Sequence, residues 1–260
     1  VTGAAGLLGP KHAEALLECG ASVILADCNS SLLEKTFETL REVYGERVKS
    51  ELMDVTSKQS VQSVFSKHKI DILINNAAKD PKVKNTDQDE SNTPASRFET
   101  MSEEFWEDGI NVIMKGTFLC SQSFSNEVLN RKGSGVIVNI SSDLGVISPD
   151  HRLYRKEGIP EDMQNVKPIT YSAAKWAVIG MTKYLAVYFA ERNIRVNCLS
   201  PAGIYNNHPE DFVEKISNVI PMKRMGNLDE LKGAIMFLSS DASSYMTGHN
   251  LLVDGGRTVW

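Results

Sequence analysis

TGAAGLLGPKHAEALLECGASVILAD, Thr2–Asp27, holds Gly3, Gly6 and Gly9 at G-x-x-G-x-x-G spacing, a helical stretch closed by Gly20, and an apolar β-branched run ending on Asp27. Glycines in such a turn permit a sharp change of direction and close approach of the backbone to a pyrophosphate. They also let helix and strand pack tightly. The helix start, around Leu7, Leu8 and Gly9, would then aim free N–H groups at the phosphates. Pro10 falls in the first helical turn, where a missing donor does no harm. Asp27 lies eighteen residues after Gly9, at the end of the apolar run. A carboxylate there accepts hydrogen bonds from an adenosine ribose and repels a 2′-phosphate. No Arg or Lys stands beside it. The reading is a dinucleotide turn suited to NAD, with NADP disfavoured. The plain alternative is an ordinary strand–turn–helix with Asp27 solvated.

Outward from this stretch, short apolar runs alternate with helical ones. Residues 21–27, 47–55, 69–77, 135–141, 195–200 and 249–253 read as strands. SSLLEKTFETLREVYG carries Leu33, Phe37, Leu40 and Tyr44 on one helical face, capped by Asn29 or Ser30 and stopped by Gly45. The alternation predicts an α/β fold: one Rossmann-type domain over 1–260, with a doubly wound parallel sheet and helices on both faces. A sheet of this kind needs a strand before its first glycine turn. Only Val1 and Thr2 precede Gly3, so the rest of that strand is expected upstream of this sequence. Two stretches break the rhythm, at about 79–98 and 143–168. Connections of such length in a compact domain are either disordered or functional.

Composition narrows the function classes. With 42% apolar and 23% charged residues and a net charge of −5, the chain has no electrostatic case for nucleic acid or an anionic membrane. No apolar run is long enough to span a bilayer and no signal-peptide pattern opens the chain, which points to the cytoplasm. Cys19, Cys28, Cys120 and Cys198 are scattered and read as core thiols. The five His residues have no metal-ligand spacing, so no metal is expected.

ITYSAAKWAVIG (Ile169–Gly180) places Tyr171 and Lys175 four residues apart on a helix. Alone, such a pair is commonly just decoration of a solvated face. Together with TGAAGLLG, INNAA, NIS-S and LLVDGG in this order, however, YSAAK makes the sequence resemble the short-chain dehydrogenase/reductase family over nearly its whole length.

The resemblance implies a cytoplasmic NAD(P)-dependent oxidoreductase acting on a small alcohol or ketone. Tyr171 and Lys175 would be the catalytic pair, Ser142 the substrate-orienting serine and Asn111 the anchor of a proton-relay water. Gly3, Gly6, Leu7, Leu8, Gly9, Asp27, Asp54, Val55, Asn76 and Ala77 would hold the cofactor. So would Tyr171, Lys175, and the segment with Pro201, Gly203 and Ile204. Residues 204–224 correspond to a substrate-covering segment, in which His208 reads as a loop residue. The broad apolar faces of 105–122 (Trp106, Ile110, Ile113, Met114, Phe118) and 171–192 (Trp176, Ile179, Leu185, Val187, Phe189) read mainly as core. In the family these helices also pair across a two-fold axis, so a homodimer or homotetramer is expected.

Three departures qualify the match. The glycine spacing is that of the longer nucleotide-sugar epimerase branch. Ala202 and Asn206 replace a usual Gly and Thr. Finally, 29 positions separate Ser142 from Tyr171, more than twice the family's usual gap. That insertion is similar to one in members associated with flagellin and surface-glycan modification, which suggests a sugar or sugar-derivative substrate. It carries His151, Arg152, Arg155 and Lys156, read either as a solvated basic loop or as a lid contacting an anionic substrate. Two alternatives stand beside the dehydrogenase: a nucleotide-sugar epimerase or dehydratase, and a non-catalytic dinucleotide-binding protein.

Overall fold

The structure is a computed structural model that describes residues 1–80 and 95–260. The loop expected at 79–98 therefore lies mostly outside the described residues. Six strands form where apolar β-branched runs were found: β1 (Val23–Asp27), β2 (Val48–Leu52), β3 (Ile72–Asn75), β4 (Gly135–Ile140), β5 (Ile194–Pro201) and β6 (Asn250–Val253). Every pairing is parallel: β1 with β2, and β3-β4-β5-β6 in that order. Val1 and Thr2 join the two groups. Ala26 N–H donates to the Val1 carbonyl (2.9 Å), and Thr2 N–H donates to the Ile74 carbonyl (3.0 Å). The short stretch before the glycine turn thus runs between β1 and β3, where the missing central strand was expected. Strand order reverses there, and in open α/β sheets ligands bind at the carboxyl ends beside such a switch point.

Neighbouring strand residues feed opposite faces, as the period of two requires. Val138 and Leu199 face a cluster with Leu16 and Leu17 of α1 (Gly9–Glu18) and with Ile235 and Leu238 near the chain end. Ile137 and Val196 face Val61 and Phe65 of α3 (Lys58–Lys67), Phe124 and, beyond it, Phe189. Between these, α2 (Ser30–Tyr44) has Asn29 as its N-cap, accepting from Leu32 N–H, and ends at Gly45 with φ +60. Its Leu33 and Leu40 are buried.

The helices beyond β3 depart from the expectation. The 105–122 stretch is α4 (Glu103–Ile110) and α5 (Gly116–Asn130), separated by a π-helical turn over Asn111–Lys115. Ile113 is buried, but Trp106 and Phe118 are exposed. On α6 (Ile169–Phe189), Phe189 is core while Trp176 and Val187 are 52% and 82% exposed. Apolar periodicity finds a face without saying what covers it. The mainly-core reading holds for Ile113 and Phe189, while Trp106, Phe118, Trp176 and Val187 stand on the helices expected to pair between subunits. Cys19 and Cys28 are likewise exposed, and only Cys120 and Cys198 are buried thiols. Among the described residues no helix is long and apolar enough to cross a membrane, and no cluster of potential metal ligands occurs.

The 143–168 insertion folds as three single 3-10 turns, Asp143–Gly145, His151–Tyr154 and Glu161–Met163. It is anchored by packing. Leu153 is buried against Ile216 and Ile220 of the 204–224 segment, whose helix is α7 (Glu210–Asn218), and against Met225 just after it. The Tyr154 and Phe212 rings lie 5.6 Å apart, and Lys215 Nζ donates to the Arg155 carbonyl (2.7 Å). The remaining helix, α8 (Lys232–Ser239), packs on α1.

Candidate active site

The glycine turn is held by its neighbours as much as by its own sequence. Gly3 has φ +61, and a Cβ there would lie 2.7 Å from the Ala77 Cα, so only glycine fits. Asn76 Nδ2 donates to the carbonyls of Thr2 and Gly3 (both 3.0 Å), while Thr2 Oγ1 accepts from the N–H groups of Asn76 and Ala77. Asn76 therefore clamps the turn. Gly9 stands behind the turn, where a Cβ would meet the Gly3 carbonyl oxygen at 2.3 Å. Asp27 closes it from the other side: its Oδ2 accepts from Ala5 N–H (3.0 Å) and its Oδ1 from Asn29 N–H (2.9 Å).

This turn forms one end of a cavity of about 620 Å³. Gly3, Gly6, Leu7, Leu8, Asp27, Asp54, Val55, Asn76 and Ala77 line that end. Asp54 is folded back on its own turn, accepting from Thr56 N–H and Oγ1 (both 2.8 Å). Pro201, Gly203 and Ile204 line the middle, at the carboxyl end of β5. Ser142, Tyr171 and Lys175 meet at the far end. Gly9 and Asn111 do not line the cavity; Asn111 opens the π-helical turn, which packs on α6. π-turns inside helices commonly accompany functional sites.

Lys175 is 3% exposed, and its Nζ donates to the Ile140 carbonyl (2.7 Å) at the end of β4. Its Nζ stands 5.5 Å from the Tyr171 ring centre. Burial brings the ammonium down to about 8, while Asp80 opposes that fall and Lys167 adds to it. Burial pushes the Tyr171 phenol well above its ordinary range, and Asp80 adds to the rise, whereas Ser142 opposes it. A buried polar chain braces the pair. Asn75 Nδ2 donates to Ser121 Oγ and Asn139 Oδ1, and Asn139 Nδ2 donates to Thr182 Oγ1 on α6. Ser141 Oγ donates to the Lys175 carbonyl (2.8 Å), which fixes α6 against the end of β4.

Four groups at this end escaped the sequence reading. Lys167 is paired with Asp80 and sits 4.2 Å from the Tyr171 ring centre. It precedes Pro168 and the start of α6, so helical spacing does not mark it. Asp143 accepts from Ser142 Oγ and Leu144 N–H at 2.8 Å, and its other oxygen pairs with Arg257 Nε at 3.0 Å. Nothing local marks Arg257. The basic cluster behaves differently from its sharper reading: Arg152 pairs with Asp150 and Arg155 with Glu161, so both charges are met within the insertion. His208 stacks on Phe212 with centroids 5.4 Å apart, at the cavity wall.

Comparison with known proteins agrees with this layout. A family model described as short chain dehydrogenase matches residues 1–154, and one described as enoyl-(acyl carrier protein) reductase matches 160–258. The NAD-dependent glycerol dehydrogenase of Listeria innocua is 31% identical, over all of this chain and 92% of that protein. The 2-dehydro-3-deoxy-D-gluconate 5-dehydrogenase of Bacillus subtilis is 33% identical, over 98% of this chain and 92% of that protein. A short-chain dehydrogenase from Leptospira borgpetersenii, solved with NAD+, superposes with a TM-score of 0.82 at 33% identity, covering 99% and 91% of the two chains. With its parallel sheet, its glycine turn and its Ser–Tyr–Lys cluster on one cavity, the chain belongs to the short-chain dehydrogenase/reductase family of NAD(P)-dependent oxidoreductases.

Proposed function

We propose that the protein is an NAD-dependent dehydrogenase interconverting a secondary alcohol and a ketone on a sugar or sugar derivative. The observation that carries this reading is the convergence of Ser142, Tyr171 and Lys175 on the cavity whose other end is the glycine turn and Asp27. The residues fit an adenine dinucleotide. The turn exposes backbone at a helix start, and the Asp27 carboxylate, with no cation beside it, favours a free ribose hydroxyl over a phosphate. Bound there, NAD would supply the hydride acceptor. The relatives known from Listeria and Bacillus act on a polyol and a sugar acid, which supports a polyhydroxylated substrate.

The chain's own part is the proton. Tyr171 takes it from the alcohol in oxidation and returns it in reduction. A phenol is a poor base at neutral pH, and burial makes this one poorer. A cation 5.5 Å away, at an effective dielectric near 20, offsets that by about 3 kcal/mol, or about two pKa units. Lys175 is that cation. Lys167 is nearer the ring, but Asp80 neutralises much of its effect. Ser142 orients the reacting oxygen, and Asn111 anchors a water that returns the proton to solvent from Lys175. The exposed faces of α4, α5 and α6 support a homodimer or homotetramer.

The test is NAD reduction screened over polyols, sugars, sugar acids and nucleotide sugars, with Tyr171→Phe as the control. Turnover with NAD by the native chain alone supports the reading. NADH retained through each turnover would instead favour an epimerase or dehydratase, the reading that the glycine spacing suggests. Dinucleotide binding with no turnover on any of these alcohols would leave a binding protein.

A further inference from the structure

The substrate end of the cavity carries ion pairs, of which Asp143–Arg257 is buried on both sides. Asp80 faces Lys167, Asp150 faces Arg152, and Asp143 faces Arg257. An anionic substrate reaching Arg257 would have to displace Asp143, leaving a desolvated carboxylate without its partner. A hydroxyl has no such difficulty, because it donates to a carboxylate and accepts from a guanidinium while both stay paired.

The Asp143–Arg257 pair has capacity for such a guest. Arg257 is 6% exposed and lines the cavity, yet among the described residues no hydrogen bond uses its guanidinium. Its contact is the ion pair to Asp143 Oδ2. Asp143, 5% exposed, receives two hydrogen bonds on Oδ1, from Ser142 and Leu144, and only the ion pair on Oδ2. The turn bearing Arg257 is held rigidly, since Asp254 accepts from Gly256 N–H, Thr258 N–H and Thr258 Oγ1. Buried donors and acceptors that are only partly used, at the wall of a cavity, are the usual means of reading substrate hydroxyls.

Given the dehydrogenase reading above, on which this rests, we propose that the substrate is an uncharged vicinal diol or polyol. Its reacting hydroxyl lies at Ser142 and Tyr171, and the neighbouring hydroxyl bridges Asp143 Oδ2 and the Arg257 guanidinium. Ser142 Oγ lies 2.8 Å from the Asp143 carboxylate, so two substrate hydroxyls that reach both groups must be as close together as those of adjacent carbons are. Arg257 is then a specificity residue supplied by the C-terminal turn.

The experiment measures kcat/KM with NAD for cyclohexane-1,2-diol, for cyclohexanol and for 2-hydroxycyclohexanecarboxylate, alongside open-chain polyols and sugar acids. The native protein is expected to favour diol over monohydric alcohol by about 30-fold or more, in keeping with a site that rejects analogues lacking a hydrogen-bonding hydroxyl. Arg257→Lys keeps the charge opposite Asp143 but loses the planar fork, and should reduce that ratio at least tenfold, about the loss of one charged hydrogen bond. Melting temperature and NADH fluorescence titration verify that the variant is folded. Should it not fold, the ranking of the three substrates by the native protein still decides the substrate class. Preference for the carboxylate, or equal losses on diol and monohydric alcohol in Arg257→Lys, would overturn the inference and leave the dehydrogenase intact. Absence of any alcohol turnover would remove both.

Discussion

The two ends of the cavity are built on different plans. At the glycine turn, backbone groups and short polar side chains satisfy one another: Asp27 on Ala5 and Asn29, Asp54 on Thr56, and Asn76, from far along the chain, on Thr2 and Gly3. At the Tyr171 end, paired charges and apolar side chains come from far apart in the chain: Asp143 with Arg257, Lys167 with Asp80, Leu153 with Ile220. A dinucleotide presents the same phosphates and riboses to any protein, so a short spacing of residues can match it. A substrate differs from one protein to the next, and its walls are assembled from loops that tolerate insertion.

The contrast is most severely tested at the Tyr171 end. Tyr171→Phe removes the proposed proton carrier and leaves the turn untouched. Turnover should fall by about 10³-fold or more while the NADH dissociation constant stays within about threefold. If both change together, the ends are not separable. Lys175 offers a second measure through stability. Its ammonium is brought down to about 8 in the folded chain from an ordinary value of 10.5. Between those values the unfolded chain holds the extra proton, so stability should rise as pH climbs from about 8 to about 10.5. The gain is about 3 kcal/mol at most for so buried a group. Urea titrations of the native chain against Lys175→Met should lose that slope in the variant, and parallel slopes would sink the assignment.

Smaller effects sharpen the contrast. Leu153→Ala should loosen the insertion from α7, with a loss of about 2–3 kcal/mol if the insertion unfolds with the rest. If it opens locally instead, KM for substrate should rise several-fold, with NADH binding unaltered. A weaker affinity for NADH in this variant would contradict the division of labour. Finally, Asp27→Ser removes the repulsion of a 2′-phosphate but adds no cation. The ratio of kcat/KM for NAD over NADP should drop about tenfold. Native protein that already prefers NADP would break the reading of Asp27 outright.

Much of this protein was legible in its residues, and each miss has a physical cause. Apolar runs such as GVIVNI, flanked by turn residues, predicted the strands, because a strand buried on both faces needs continuous β-branched side chains. The order of Ser142, Tyr171 and Lys175 pointed to three residues that line one cavity, at the end proposed here as catalytic. Trp176 and Val187 were not told apart from core residues, because a periodic apolar face looks the same whether a core or another subunit covers it. The pairing of Arg152 with Asp150 was missed although the residues are near neighbours, since charge counts do not say which way a side chain turns.

What the chain determined by itself is whatever depends on local spacing: the glycine turn with φ +61 at Gly3, the cap at Asn29, the four-residue step from Tyr171 to Lys175. Tertiary structure alone decided that Arg257 stands against Asp143, that Lys167 lies over Tyr171, and that Leu153 sits beneath α7. Backbone geometry propagates over a few residues and can be read from them. Contacts between distant side chains depend on how whole layers stack, and burial energy has no direction along the chain.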